Sequence, residues 1–342
     1  MNNNEMNCGL AGATGYLGAE LLRLLAGHPV LDVVVAQAES TAGARVGELY
    51  PALERGYEGL VVERLDVAVL ETLEVVFVAL PAGASQDVVA SLAGRVRLVV
   101  DLGADFRLKD AAAYPQWYGW EHRAAELLHR AVYGLPELYR EQLRGAGLVA
   151  APGCYVTAAA LGLRPLAEVG LLEERGVIVD GASGTSGAGK ALAPGLHHPL
   201  ANERFAPYGL LNHRHTPEME QVIGAEVLFT PHLAPMTRGI LATCYGRSRA
   251  PVTTDSLLEV LAKRYEGEPF VNVTEKVPST ADAYGSNVAH LTARADARTG
   301  WVLVISAIDN LVKGGSGQAI QAANVALGIE ETSGLPLVGL SP

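Results

Sequence analysis

Cysteine is scarce in this chain: three among 342 residues, at Cys8, Cys154 and Cys244. An odd number spread so widely excludes a disulfide framework and points to reduced thiols in a reducing compartment. Long apolar runs are absent as well, none approaching the roughly 18 residues of a membrane-spanning helix. The opening "MNNNEMNCGLAGATG" lacks the basic-then-apolar layout of a secretory leader, so the expectation is a cytoplasmic protein with no membrane partner. Compact runs of lysine and arginine are missing, and the formal net charge is -11. Such a surface repels nucleic acid and anionic lipid, which excludes nucleic acid as a partner. An anionic small molecule would have to be met by a few placed cations and by backbone N–H groups. Internal repeats and low-complexity segments are lacking too.

What is present is a hydrophobic fraction of 49% over 342 residues, enough for two well-buried cores. The first 150 or so residues alternate apolar β-rich runs with helix-period segments, the pattern of a parallel sheet covered on both faces. "NCGLAG", "LDVVVAQ", "EVVFVALP" and "RLVVDLG" are the strands, and "YLGAELLRLLAGHP" is a helix with Leu17, Leu21, Leu24 and Leu25 on one stripe. From Cys154 the style changes to a helix reaching about Val169, the strand "VIVDGA", a Gly/Ser-rich loop, a His-rich irregular stretch, and then strands with few helices between them. That order predicts an α+β domain with a mixed or mainly antiparallel sheet. The boundaries read as 1–153 and 154–313, with a helical tail in 314–342, presenting Ile320, Ala323 and Leu327, returning to pack on the first domain.

Gly12, Gly15 and Gly18 stand at the first strand-to-helix turn, in "GLAGATGYLGAELL". Glycines there let backbone approach a pyrophosphate at a helix N-terminus, so residues 1–153 read as a dinucleotide-binding domain. The end of the second strand continues as "VAQAESTAGAR". Ser40, Thr41 and Arg45 suit a 2'-phosphate, whereas Glu39 suits a free ribose, and the reading leans to NADP.

Cys154 follows Pro152 and Gly153 at the mouth of a helix. Unsatisfied N–H groups and the helix dipole favour thiolate there, while the alternative is a small buried side chain, the role that Cys8 and Cys244 fit well. A working thiol needs a proton shuttle. "HRHTPEME" supplies His213 and His215, expected to face opposite sides by alternation in an extended stretch. Thr216 is the expected cap and Pro217 the first turn, which anchors His215 with Glu218 near enough to orient it. His197 and His198 read as loop histidines. No H-E-x-x-H and no cysteine pair at ligand spacing occurs, so no metal is expected. Two segments suit anions. "GASGTSGAGK" offers Ser183, Ser186, a run of N–H groups and Lys190, unless it is a flexible loop. "DLGADFRL" ends a parallel strand with Arg107, which is either a ligand contact or half of a surface ion pair.

Taken together, "GATGYLGAELLRLL", "LPAGAS", "DLGADFRL", "YGLPELY", "PGCYVT", "SGTSGAGK", "HRHTPEMEQ", "FTPHLAPMTRGIL" and "AIDNLVKGGSGQAIQAAN" resemble, in order, the N-acetyl-gamma-glutamyl-phosphate reductases of arginine biosynthesis, relatives of aspartate-semialdehyde dehydrogenase. Ala151 departs from the Asn that many relatives have there. The resemblance implies a Rossmann-type domain plus an α+β catalytic and oligomerisation domain. It implies an acyl-phosphate substrate attacked by Cys154, a thioester reduced by NADPH, and His215 as acid/base with His213 as its rival. Thr14, Tyr16, Leu17, Pro81, Gly184 and Asn310 join the glycines and Ser40 toward the cofactor, with Asn310 meeting its nicotinamide end. Arg107, Ser183, Ser186 and Lys190 serve the substrate. A homo-oligomer, dimer or tetramer, is expected. Two other functions compete: a lysine-pathway aminoadipyl-phosphate reductase, and an NADP-sensing regulator without turnover.

Overall fold

The computed structural model describes residues 5–340; residues 1–4 and 341–342, at the ends of segments read above as belonging to the first domain, lie outside them. The chain divides into two compact units.

The first unit holds the residues up to Pro152 together with Gly315–Leu335. Its strands are β1 (Met6–Ala11), β2 (Leu31–Gln37), β3 (Val62–Glu63), β4 (Val75–Val78), β5 (Leu98–Asp101), β6 (Val132–Tyr133) and β7 (Leu148–Ala150). They form one parallel sheet in the order β3-β2-β1-β4-β5-β7-β6. Every residue of β4 and of β5 is buried, which is why these strands read as unbroken apolar runs rather than as alternation. Strand order reverses between β2 and β4 around β1, the kind of switch point where open parallel sheets collect ligands at their carboxyl ends. The Tyr16–Leu25 helix follows β1 and buries Leu21, Leu22, Leu24 and Leu25; Leu17, assigned to that stripe from the sequence, is only half-buried.

The helix read in the tail covers Gly317–Leu327, and it is buried all round from Gly317 to Ala326 rather than along the stripe expected of it. Small residues permit this, and its polar side chains are paired. Gln318 Nε2 donates to Gly134 O at 2.9 Å, Gln321 Nε2 to Glu137 Oε1 at 2.8 Å, and Asn324 Oδ1 meets His28 Nε2 at 3.0 Å.

The second unit runs over Gly153–Gly314 and takes in the residues from Pro336 on. Its strands are β8 (Val177–Gly184), β9 (Ala206–Pro207), β10 (Val227–Ala234), β11 (Ile240–Arg247), β12 (Val271–Val273), β13 (Ala289–Asp296) and β14 (Trp301–Ile308). The sheet order is β12-β13-β14-β11-β8-β10-β9. It is mixed: β8 with β10 and β12 with β13 are parallel, the other pairs antiparallel. Burial alternates along β8 and β11, so one face is packed and the other is partly open. The Cys154–Glu168 helix covers the packed face and is buried along most of its length. Among the described residues no helix is long and apolar enough to cross a membrane.

Candidate active site

Cys154 is the first residue of the Cys154–Glu168 helix, entered through Gly153 in extended conformation (φ -70°, ψ 141°). The thiol is therefore carried by the first residue at the positive end of a 15-residue helix, whose first-turn N–H groups lack intrahelical partners. It is half-buried, whereas Cys8 and Cys244 are fully buried. Burial pushes both of those thiols up to about 12.

His215 lies against the residue before the nucleophile. A Cβ on Gly153 would stand 2.5 Å from His215 Nε2, so only glycine admits the imidazole at that place. Glu218, one turn on and fully buried, accepts the Gly153 N–H through Oε1 at 2.8 Å. The face of the His215–Ile223 helix that buries Met219, Val222 and Ile223 thus also carries His215 and Glu218 to the mouth of the Cys154 helix.

Two readings of this loop are corrected. Thr216 is not the cap: the helix begins at His215, preceded by Arg214 in αR conformation. His213 takes over the capping task, its Nδ1 accepting the His215 N–H at 3.1 Å. Nor do the two histidines face opposite ways. Alternation belongs to extended backbone, and the turn at Arg214 folds both rings to one side, their centroids 4.7 Å apart and each 6.0 Å from the Tyr155 ring. Burial, then the Arg214 charge, lowers His213 to about 4, which suits an Nδ1 that must keep its lone pair.

Beside this lies a second buried network. Asn310 accepts the Gly239 N–H through Oδ1 at 2.7 Å and donates from Nδ2 to Ser186 Oγ at 2.9 Å. Ser183, also buried, donates to Gly184 O at 3.0 Å. Lys190 is exposed at the end of this loop.

In the first unit, Gly12 has φ +86°, and a Cβ there would stand 2.3 Å from Ala79 O. A Cβ on Gly18 would meet Gly12 O at the same distance. Gly15 is different: a Cβ would find nothing closer than 3.8 Å, leaving room at the helix N-terminus for a ligand's phosphates. Thr14 Oγ1 bonds Thr41 Oγ1 at 2.9 Å, and Thr14 O accepts from Tyr50. Tyr16, Ser40 and Pro81 are exposed, and Leu17 O accepts from Ser316 Oγ. Gln37, ending β2, is buried and bonded to the backbone of Asp66, so no carboxylate occupies that strand end; Glu39 is exposed. Arg107 is no surface ion pair: 7% exposed, it donates to Ala151 O at 2.8 Å and Leu102 O at 3.1 Å.

Residues 7–146 match the family model described as "Semialdehyde dehydrogenase, NAD binding domain", and residues 154–310 match "Semialdehyde dehydrogenase, dimerisation domain". The chain is 48% identical over 336 residues to N-acetyl-gamma-glutamyl-phosphate reductase of Symbiobacterium thermophilum, covering 96% of both chains. It is 48% identical over 343 residues to the reductase of the same name from Desulforudis audaxviator, covering 98% of this chain and 99% of that one. The chain belongs to the N-acetyl-gamma-glutamyl-phosphate reductase family. The structure resembles aspartate semialdehyde dehydrogenase II of Vibrio cholerae complexed with ASA, with a TM-score of 0.71 at 17% identity over 94% of this chain and 98% of that one. It also resembles the Candida albicans enzyme with NADP, with a TM-score of 0.69 at 16% identity over 94% and 98%. At such identities the likeness speaks for the fold alone.

A reductase of this family needs a place for a dinucleotide, and the Gly12–Gly18 turn fits one: two glycines are demanded by the protein's own backbone and the third faces open space. Several buried groups escaped the reading of the sequence. Asp105 accepts from Gly83 N, Ser85 N and Ser85 Oγ. Asp101 is raised to about 7 by burial first and by Asp105 second, with Arg107 opposing. An aspartate closing an all-apolar strand such as "LVVD" was the available signal, because a buried carboxyl needs partners. Asp309 escaped in the same way, at the end of "WVLVISAID".

Proposed function

We propose that this chain reduces N-acetyl-gamma-glutamyl phosphate to N-acetylglutamate semialdehyde with NADPH, releasing inorganic phosphate, through a thioester on Cys154. One observation carries the mechanism: in a chain of this family, the half-buried cysteine opens a long helix with His215 against the preceding residue. The Cys154 thiolate attacks the acyl carbon, the carbon–oxygen bond to phosphate breaks, and phosphate leaves with the electron pair. First-turn N–H groups of the Cys154–Glu168 helix stabilise the oxyanion as it develops. When bound, NADPH supplies the hydride that reduces the thioester carbon. His215 takes the thiol proton, gives it to the oxygen as the carbon is reduced, and recovers it as the carbon–sulfur bond breaks to free the aldehyde.

Residues 1–153 are the proposed dinucleotide-binding domain, joined by the Gly317–Leu327 helix, and 154–313 the catalytic and oligomerisation domain. Gly12, Thr14, Gly15, Tyr16, Leu17 and Gly18 are assigned to the pyrophosphate and Ser40 to the 2'-phosphate, with Pro81, Gly184 and Asn310 toward the nicotinamide end. Arg107, Ser183, Ser186 and Lys190 are assigned to the anionic groups of the substrate. The partly open face of the second sheet, with Ile178, Tyr245, Trp301 and Leu303 around a cavity of about 530 Å³, suits a second copy of a chain that matches a dimerisation domain. A homo-oligomer, dimer or tetramer, acting in the cytoplasm completes the reading.

The test runs the reverse reaction with phosphate and NADP on N-acetylglutamate semialdehyde, aspartate semialdehyde and a lysine-pathway analogue. The acetylglutamate compound is expected to give the highest kcat/KM. A higher value for either of the others overturns the substrate assignment.

A further inference from the structure

Asp309 is fully buried, and the mechanism above gives it no part. Its polar contacts gather three pieces of the second unit: its own turn, the Gly285 loop and Arg238. Oδ1 accepts from Leu311 N at 2.8 Å and from Val312 N at 3.1 Å. Oδ2 accepts from Gly285 N at 2.8 Å and pairs with Arg238 Nη1 at 3.4 Å. Its carbonyl accepts from Gly314 N at 2.9 Å.

The last bond matters because of where it leaves Gly314. A Cβ there would stand 2.8 Å from Cys154 Cβ and 3.2 Å from Ile308 Cδ1. The turn from Asp309 to Gly314 is therefore the wall behind the nucleophile, pressed so close that it admits no side chain. From the other side the residues after Leu335 strap the loop that feeds Asp309. Asn287 N donates to Pro336 O at 2.8 Å and Leu340 N to Tyr284 O at 2.7 Å. Gly285 has φ +75°, and its missing Cβ would lie 2.7 Å from Leu340 Cδ1.

We propose that Asp309 is a positioning residue for Cys154: its carboxylate fixes the turn through Leu311 N and Val312 N and ties it to Gly285 and Arg238, so that Gly314, held by the Asp309 carbonyl, stays against the nucleophile's Cβ, and the 336–340 strap is part of the same device. The inference rests on the thioester reading for its effect on turnover, but its geometry stands apart from that reading. A shift of about 1 Å at a reacting atom costs on the order of 10²-fold, and a sulfur that leaves the helix N-terminus loses the N–H groups that favour thiolate.

The experiment compares full-length wild type with Asp309→Ala and Asp309→Asn, following kcat, KM, NADPH binding and the pH-dependent alkylation of Cys154 by iodoacetamide. Asp309→Ala is expected to fold and bind NADPH like wild type, with kcat lower by ~10- to 10²-fold and KM within ~3-fold. Alkylation at neutral pH slows and its pH midpoint moves up. Asp309→Asn keeps an acceptor for Leu311 N and Val312 N and recovers part of both losses. A folded Asp309→Ala with wild-type kcat and alkylation overturns the proposal, and so does a loss that falls on KM or cofactor binding as heavily as on kcat. Should Asp309→Ala not fold, Leu340→Ser loosens the strap while keeping the carboxylate. It must then slow both turnover and alkylation by ~3-fold or more, a small share of the range above, and wild-type behaviour there overturns the proposal. A wild-type chain that fails to reduce the acyl phosphate defeats the function proposed above, while the alkylation comparison still decides this one.

Discussion

At Cys8 and Cys244 burial raises the thiol to about 12, so neither offers thiolate near neutral pH, which leaves the half-buried Cys154 as the candidate nucleophile. Cys154→Ser is expected to keep the fold and NADPH binding while losing turnover by about 10³-fold or more, because an alkoxide is much harder to form than a thiolate. Cys8→Ser and Cys244→Ser should cost stability at most. Steady-state kinetics beside cofactor titration checks all three, and an active Cys154→Ser would sink the covalent route. His215, with Nε2 against Gly153, is the better placed of the two histidines for proton transfer. His215→Asn should lower kcat by ~10²- to 10⁴-fold, the usual worth of such help, and His213→Asn should act mainly on stability. Reversed effects would hand the proton to His213.

The elements depend on these side chains in turn. The His215–Ile223 helix starts on an acceptor, His213 Nδ1, that works only while unprotonated. In the folded chain His213 lies at about 4 rather than at its ordinary 6.5. Between those values the unfolded chain binds a proton that the folded one refuses, so stability falls as pH drops through that window and is flat above it. One such group changes stability by at most about 1.4 kcal/mol per pH unit. Urea midpoints at about pH 7 and about pH 5 should separate less in His213→Gln, which does not titrate, than in wild type. An equal separation in both would show that His213 is not the acid-sensitive part of this helix start. This element was only partly legible beforehand. "HTPEME" announced a helix, but not that a histidine side chain would cap it, because the cap is chosen by which acceptor the turn brings round and not by propensity at one position.

For the whole molecule, the first unit decides the cofactor. Gln37 is buried at the end of β2 and committed to Asp66, so the usual carboxylate for a free ribose is absent from that strand end. NADPH should be preferred over NADH by at least about tenfold in kcat/KM, roughly 1.4 kcal/mol, and equal efficiency would return the ribose to Glu39. The sequence by itself determined the two sheets and their kinds, since strand burial on one or both faces is written directly in alternating or continuous apolar runs. It also determined the glycine turn and the helix mouth at Cys154, because Gly and Pro impose backbone geometry locally. Only the tertiary structure decided that His213 and His215 share a side, that Arg107 is buried on carbonyls, and that Gly153, His215 and Glu218 meet. The same holds for Asp309 and Gly314, which stand more than 150 residues after Cys154 in the chain. Residues so far apart are joined by the register of β11, β8 and β14 and by close packing around one helix, and no local period in a sequence records such a meeting.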